Sequence, residues 1–411
     1  MKKFISIFLL AATFLCCSCT MAPAKGNDSD TTVNVTDTLA EETTEATTTE
    51  AVTTQAETTA PPSRFTFPEI TDTTDKNAYV EGIISQLSVE ELVGQMFYVR
   101  CDDFRSKYII ENYHIGGFIL YADDFSEKSK DQVTAAINKY QNLADIPLLM
   151  GVNEEGGSVI SASSNPQLRE KPFLSPREVY ANGGWEAIEA DAAEKADFLL
   201  SLGINVNMAP VCDLADDPDA FMYDRSFTAN VKDMCTFVNK YVTVSKEKQL
   251  GTVLKHFPGY GNLENTDTGI IKDERRYYNF TSKDFRPFTE GIKSGADCIL
   301  VSHNTVTSMD SKNPASLSER VHEIIRNDLN FEGVIMTNDL SMSAIKEYTE
   351  NSSAAVLAAK CGNDILCCTD IDNQYSAVME AVNNGEISID AVKESVRRIL
   401  SWKYDLGLFN K

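Results

Sequence analysis

The stretch of this sequence best suited to chemistry is 255–269, which begins with the pentapeptide Lys255-His256-Phe257-Pro258-Gly259. A cation, an imidazole and a Pro-Gly turn here follow the short apolar run 251–254, which predicts a buried strand. Parallel α/β proteins keep their functional groups at the carboxyl ends of strands, in the loops beyond them. We therefore predict a ligand site at this strand end. Taken as five isolated residues, the same pentapeptide would also suit a basic strand end and a surface turn.

Polar groups follow other apolar runs in the same way. They are Asn153-Glu154-Glu155-Gly156-Gly157-Ser158, the acidic loop 213–219 with Tyr223-Asp224-Arg225-Ser226-Phe227, Ser302-His303-Asn304, and Thr337-Asn338-Asp339. On the catalytic face of a barrel, functional groups are expected to follow several successive strands. We interpret Glu154 and Glu155 as structural, because adjacent side chains on a strand end diverge. His303 could face the site or support it from behind.

Apolar runs with helix-sized spacings predict the fold. One lies near Phe97 and the others at 115–121, 147–152, 204–211, 252–254, 298–302, 333–337 and 364–368. Amphipathic stretches such as 131–143, 185–202 and 321–329 lie between them. Strands that alternate with helices predict a mostly parallel sheet, and eight units favour a closed (β/α)8 barrel over an open doubly wound sheet. We expect the helical segment at 387–411 to pack on the barrel exterior.

The amino-terminal residues 1–19 are typical of a bacterial lipoprotein signal peptide. A Lys2-Lys3 start and the apolar stretch 4–15 precede Ser18 and Cys19, the residue that we expect to be lipidated. Plain secretion after cleavage is the alternative.

Residues 20–75 are rich in Thr, Glu, Ala and Pro and contain few large apolar side chains. Such a segment cannot bury enough surface to offset its ordering entropy, so we predict a disordered linker. The predicted domain at 76–411 would then lie on the extracellular face of the cytoplasmic membrane, attached by a lipid anchor.

Charge and composition restrict the classes of molecule and metal ion that this protein is expected to bind. The net charge of -24 argues against nucleic acid. The cysteines after the signal lack zinc-ligand spacing, and their odd number argues against a complete disulfide framework, so we expect buried thiols. The acidic loop 213–219 lacks the spacing of a calcium loop. We predict no metal and no cofactor, and we expect a monomer.

Several motifs together carry a family resemblance: Lys255-His256-Phe257-Pro258-Gly259, Glu155-Gly156-Gly157, Asp224-Arg225-Ser226-Phe227, and Gly-Val-Ile-Met-Thr-Asn-Asp-Leu-Ser-Met at 333–342. From about 87 to 408 the sequence resembles glycoside hydrolase family 3, in particular its single-domain β-N-acetylhexosaminidases. The resemblance implies a (β/α)8 barrel that binds a terminal N-acetylhexosamine. It implies that Arg225, Lys255 and His256 hold the sugar. Asn153 stands where the family usually has an Asp that also grips the sugar.

The catalytic positions depart from the family pattern. The resemblance places the Asp nucleophile of the retaining mechanism at Asn338, and an amide is a poor nucleophile. It places the Asp and His of the general acid at Thr266 and Thr268. A carboxylate adjoins each lost position, at Asp339 and Asp267. A one-residue offset along a strand normally turns a side chain to the other face, however.

Two functions remain open from the sequence. The first is a surface protein that recognises N-acetylglucosamine-containing glycans, such as peptidoglycan fragments or chitin oligomers, with impaired or lost hydrolysis. The alternative is an active β-N-acetylhexosaminidase in which Asp339 or Asp267, or the acetamido group of the substrate, takes over the missing role.

Overall fold

The computed structural model describes residue 65, residues 67–350 and residues 353–410. The predicted signal peptide, Cys19 and the predicted linker up to residue 64 lie outside the described residues. Towards the end of the predicted linker, Phe67 and Ile70 already pack against the apolar core.

The described residues form ten strands, eight of which coincide with the apolar runs of the sequence. They are β1 Phe97–Arg100, β2 Gly117–Leu120, β3 Leu149–Val152, β4 Val206–Asn207, β5 Gly251–Phe257, β6 Lys272–Asp273, β7 Cys298–Val301, β8 Thr305–Val306, β9 Val334–Thr337 and β10 Leu366–Cys368. Eight of them form a parallel sheet in the order β10-β1-β2-β3-β4-β5-β7-β9. The short strands β6 and β8 pair with each other in the loops that follow β5 and β7.

The sheet closes on itself between its end strands. A parallel bridge joins Met336 of β9 to Ile365, and Leu340 N donates to Cys367 O at 2.9 Å. The predicted (β/α)8 barrel is therefore confirmed, and the open sheet is excluded. Apart from Arg100 at the end of β1, the eight barrel strands are buried on both faces, which is why the runs are continuously apolar instead of alternating.

The helices lie around the barrel. They are α1 Lys76–Ile84, α2 Val89–Gln95, α3 Ser106–Tyr113, α4 Ala122–Phe125, α5 Lys130–Leu143, α6 Pro176–Leu200, α7 Val231–Glu247, α8 Tyr277–Asn279, α9 Phe285–Lys293, α10 Glu319–Glu323, α11 Ser343–Thr349, α12 Ala354–Lys360, α13 Ile371–Asn383 and α14 Ile389–Asp405. In α6 the backbone leaves helical geometry at Gly183 and Gly184. Among the described residues, no helix is long and apolar enough to span a membrane.

The carboxyl-terminal helix α14 does more than cover the outside of the barrel. Its Ile399 and Trp402 join the cluster of side chains that fills the barrel interior, together with Val206 and Cys298. An added Cβ at Gly251, at the start of β5, would lie 3.0 Å from the Trp402 ring. The helix therefore packs against the end of the barrel where the strands begin, which leaves the other end for a ligand.

Candidate functional site

A cavity of about 370 Å³ lies at the carboxyl ends of the barrel strands. Most of the predicted site residues line it: Asn153, Arg225, Lys255, His256, Asp267, Asn338 and Asp339. Thr268, predicted at the acid position, is not in the lining. The structure thus brings together side chains from loops that are almost 190 residues apart in the sequence.

Glu155 organises the basic side of the cavity. Arg225 binds it with two hydrogen bonds, from Nε to Oε2 at 2.9 Å and from Nη2 to Oε1 at 2.7 Å. Lys255 Nζ lies 2.6 Å from the same Oε1 and also donates to Asn153 Oδ1 at 2.8 Å. The two cations that the resemblance assigns to sugar binding are therefore held by one buried carboxylate.

The charge state of this cluster follows from burial and pairing. Burial alone would oppose ionisation of Glu155, but Arg225 and Lys255 outweigh it and hold the pKa of Glu155 at about 2. Burial lowers the pKa of the Lys255 ammonium, and the Glu155 carboxylate opposes that change. The cluster is preorganised to offer fixed N–H donors in a partly dry site.

His256 is held by Asp213. Its Nδ1 lies 2.8 Å from Asp213 Oδ2, which also accepts from His256 N at 3.0 Å. Its Nε2 faces Arg225 Nη2 at 3.3 Å. Burial lowers the pKa of His256, against the effect of Asp213, so the ring is neutral. A carboxylate only accepts and a guanidinium only donates, so Nδ1 carries the proton and Nε2 is the acceptor.

Strand β5 is irregular where the pentapeptide begins. Its register with β7 shifts between Leu254 and Phe257. In a regular strand successive side chains face opposite sides, whereas Lys255 and His256 both line the cavity. Irregularities at barrel rims commonly re-aim side chains in this way.

Asn338 extends the inward-facing positions Val334 and Met336 of β9 into the cavity. Its main-chain N donates to Val301 O at 2.9 Å. Its side-chain Oδ1 accepts from Asp339 N at 3.0 Å. Because a main-chain N–H can only donate, the remaining atom is Nδ2, which has no hydrogen-bond partner among the described residues. At the position that the resemblance assigns to the nucleophile, the cavity therefore offers an amide donor.

Asp339 also lines the cavity, but both of its carboxylate oxygens already accept hydrogen bonds from neighbouring residues. Oδ1 accepts from Ser341 N at 2.8 Å and from Ser341 Oγ at 2.6 Å, and Oδ2 accepts from Thr369 Oγ1 at 3.2 Å. His303 supports this turn from behind: its Nε2 lies 2.9 Å from Asp339 O and its Nδ1 lies 2.7 Å from Ser316 Oγ. Burial lowers the pKa of His303 to about 4, so the ring is neutral. His303 is fully buried and does not line the cavity.

The loop after β5 places the two threonines differently. Thr266 is buried and shares a hydrogen bond of 2.7 Å with Tyr260 Oη. Thr268 is exposed and its Oγ1 donates to Asn265 O at 2.7 Å. Asp267 lies between them and reaches the cavity lining, and it is also exposed.

Glu154 and Glu155 diverge, as expected of neighbours on a strand end. Glu154 is buried and accepts from Ser161 N and Ser163 N, each at 3.1 Å, so it braces the loop after β3. Sequence reasoning missed the importance of Asp213, which it treated as part of an acidic loop. It also missed the aromatic side chains of the wall, which are Tyr121, Phe221 and Tyr260. Tyr121 directly follows β2, a position that could have indicated it.

Among the described residues, one group of side chains could converge on a metal ion: Glu91, His114 and Asp145. These residues precede β1, β2 and β3, so they lie at the opposite end of the barrel from the cavity. Glu91 already caps α2, where its Oε2 accepts from Ser88 N at 2.8 Å. The cluster takes no part in the candidate site.

Residues 88–402 match the model of the glycosyl hydrolase family 3 N terminal domain. The chain belongs to glycoside hydrolase family 3. A β-hexosaminidase from Methylococcus capsulatus is 25% identical to it over 270 residues, which cover 66% of this chain and 80% of the relative. An uncharacterized secreted glycosyl hydrolase from Arthroderma benhamiae is 27% identical over 306 residues, covering 69% and 83% of the two chains. The resemblance found in the sequence is thus confirmed.

The fold of this family 3 chain also matches solved structures. The glycoside hydrolase family 3 β-N-acetylglucosaminidase from Paenibacillus sp. str. FPU-7 superimposes with a TM-score of 0.73 at 25% sequence identity. The match covers 78% of this chain and 63% of the Paenibacillus protein. The two chains share the barrel.

Proposed function

We propose that this family 3 barrel binds N-acetylglucosamine-containing glycans, such as peptidoglycan fragments or chitin oligomers, in its 370 Å³ cavity, with hydrolysis impaired or lost. The hexosaminidase and β-N-acetylglucosaminidase relatives support the glycan class. The ordered Arg225, Lys255 and His256 support binding, because fixed charged donors hold sugar oxygens well.

The observation that carries the loss of hydrolysis is the amide at the nucleophile position. Asn338 Oδ1 is engaged by Asp339 N, and the atom left for a ligand is the Nδ2 donor. An N–H donor cannot form the glycosyl-enzyme bond, and it offers no negative charge to an oxocarbenium-like transition state.

The acid position supports the same conclusion. Thr268 lies outside the cavity lining and has no proton of suitable acidity to give to a leaving oxygen. General acid catalysis is worth roughly 10²- to 10⁴-fold. Without the nucleophile and without the general acid, neither formation nor hydrolysis of the glycosyl-enzyme intermediate is catalysed.

The alternative, an active β-N-acetylhexosaminidase with a displaced carboxylate, depends on Asp339 or Asp267. Asp339 would have to exchange its bonds to Ser341 and Thr369 for the substrate. Asp267 is exposed at the cavity rim and is the better candidate for a displaced acid.

We further propose that the chain acts as a monomer outside the cytoplasm, with residues 1–19 as its signal and Cys19 as its lipid anchor. Residues 20–75 would serve as a tether whose last part, at Phe67 and Ile70, packs on the barrel at 76–411. The Arthroderma relative, a secreted glycosyl hydrolase, supports the extracellular location. Metabolic labelling with a palmitate analogue, with Cys19→Ala as the control, tests the anchor.

Hydrolysis is tested with two N-acetylglucosaminides that differ in the leaving group. A 2,4-dinitrophenyl group departs without acid assistance, whereas a methylumbelliferyl group benefits from it. We expect the natural protein to release neither. Asn338→Asp should release dinitrophenol well above the background and leave the second substrate nearly untouched, because the acid is still absent. Chitotriose should bind the natural protein in calorimetry.

Release of both leaving groups by the natural protein, abolished by Asp339→Ala or Asp267→Ala, would establish the alternative. Absence of any heat with chitotriose and with peptidoglycan fragments would overturn glycan binding. Asn383→Asp, at the exposed end of α13, is the control for the added charge.

A further inference from the structure

The cavity contains three asparagines that are oriented alike. Asn153 Oδ1 accepts from Lys255 Nζ at 2.8 Å, Asn265 Oδ1 accepts from Asp267 N at 3.1 Å, and Asn338 Oδ1 accepts from a main-chain N at 3.0 Å. Ammonium and main-chain N–H groups can only donate, so each amide oxygen is identified by its partner. Each Nδ2 is then the free end, since none has a hydrogen-bond partner among the described residues.

Other groups in the lining add to this surplus of donors. Arg225 Nη1 has Met222 Sδ, at 3.6 Å, as its acceptor within the described part of the chain, and a thioether is a weak acceptor. Lys255 has three N–H bonds and contacts two acceptors. The carboxylates in the lining are Asp339, which is occupied by serine and threonine donors, and Asp267 at the exposed rim. The inner wall of the cavity therefore offers more hydrogen-bond donors than acceptors to a ligand.

The excess of hydrogen-bond donors in the lining affects which sugar substituents the cavity can bind. A hydroxyl group both donates and accepts, whereas a carboxylate only accepts and can take several hydrogen bonds. Position 153 offers an amide donor beside the Lys255 ammonium, which keeps one N–H bond beyond those directed at Glu155 and Asn153. The natural partner of two adjacent donors is a carboxylate.

We propose that the cavity binds a terminal sugar that carries a carboxylate, a uronic acid, with its carboxylate on Asn153 Nδ2 and Lys255 Nζ. The proposal rests on the proposed function, because it specifies the end unit of the N-acetylglucosamine-containing glycan. The side chains at 153 and 338 that line the cavity are neutral amides, so neither repels an anionic ligand.

The test compares ligands that differ at one carbon. Binding of p-nitrophenyl β-glucuronide and p-nitrophenyl β-glucoside is measured by calorimetry, with chitotriose as the reference for glycan binding. We expect the glucuronide to bind at least about tenfold more tightly than the glucoside. Asn153→Asp keeps an oxygen acceptor for Lys255 but adds a negative charge. It should therefore abolish the preference for the glucuronide and leave the affinity for the glucoside unchanged. Asn383→Asp adds the same charge on an exposed surface and should change nothing.

The outcomes separate the two proposals. If chitotriose binds and the glucuronide binds no better than the glucoside, the uronic acid proposal is wrong and glycan binding stands. If the glucuronide preference survives Asn153→Asp, the assignment of the carboxylate to Asn153 is wrong. If neither chitotriose nor either glycoside binds, glycan binding itself fails, and the uronic acid proposal fails with it.

Discussion

Removing the charge of Glu155 should destabilise the protein markedly at neutral pH. Its pKa is held at about 2 instead of the ordinary 4.5, because the effects of Arg225 and Lys255 exceed that of burial. Each tenfold change in proton affinity corresponds to about 1.4 kcal/mol, so this difference corresponds to about 3 kcal/mol. The side chain is 3% exposed, so solvent screens the pairs little. Glu155→Gln leaves both cations without their carboxylate, and loss of one partner of a buried pair costs about 3–5 kcal/mol.

The assay is urea unfolding of the natural protein and Glu155→Gln at several pH values, with the exposed Glu332→Gln as the matched control. A carboxylate with a lowered pKa in the folded state stabilises fully above its unfolded pKa of 4.5, and the effect is lost as the pH falls towards 2. The difference between the two proteins should therefore be constant from pH 7 to 5 and should shrink below 4.5. A loss below about 1 kcal/mol at pH 7, or a difference that does not change down to pH 3, would refute the reasoning.

Three further predictions concern other buried polar groups. Tyr98 Oη is buried and finds no hydrogen-bond partner in the described part of the chain, and an added Cβ at Gly151 would lie 1.9 Å from it. Tyr98→Phe should therefore raise the free energy of unfolding by about 1 kcal/mol and should partly rescue the destabilised Gly151→Ala in urea melts. Burial lowers the pKa of Lys403 to about 7, so its charged form opposes folding below the ordinary 10.5. Lys403→Met should raise the melting temperature, more at pH 6 than at pH 9, and an equal gain at both would contradict the assignment. The lowered pKa of His256 predicts a neutral ring with the proton on Nδ1 at pH 7, which ¹⁵N-detected imidazole spectra would show; an imidazolium spectrum would contradict it.

The barrel could be predicted because its strands are buried on both faces. Every predicted apolar run overlaps a strand of the closed sheet, from Phe97 in β1 to Cys368 in β10. The lengths were less predictable. The run at 204–211 forms a strand of two residues, Val206–Asn207, because the pairing partners on both sides limit the ladder.

The site was predicted in part. The polar groups after successive strands indicated the correct end of the barrel, and most of the candidate residues share one cavity. The pairing of Glu155 with Arg225 joins residues that are 70 positions apart, and the pairing of Asp213 with His256 joins residues 43 apart. No local sequence pattern predicts such contacts, because they depend on how neighbouring strands are aligned.

The sequence by itself determined the identity of the groups: which residues carry charge, that an amide occupies position 338, and that the chain alternates strand and helix. Tertiary structure decided their orientation. The irregular end of β5 turns Lys255 and His256 into the same cavity. Hydrogen bonds from protein donors hold three cavity-lining amides by their oxygens, so each Nδ2 keeps no partner among the described residues. Orientation depends on partners from distant strands, and those partners exist only once the barrel has closed.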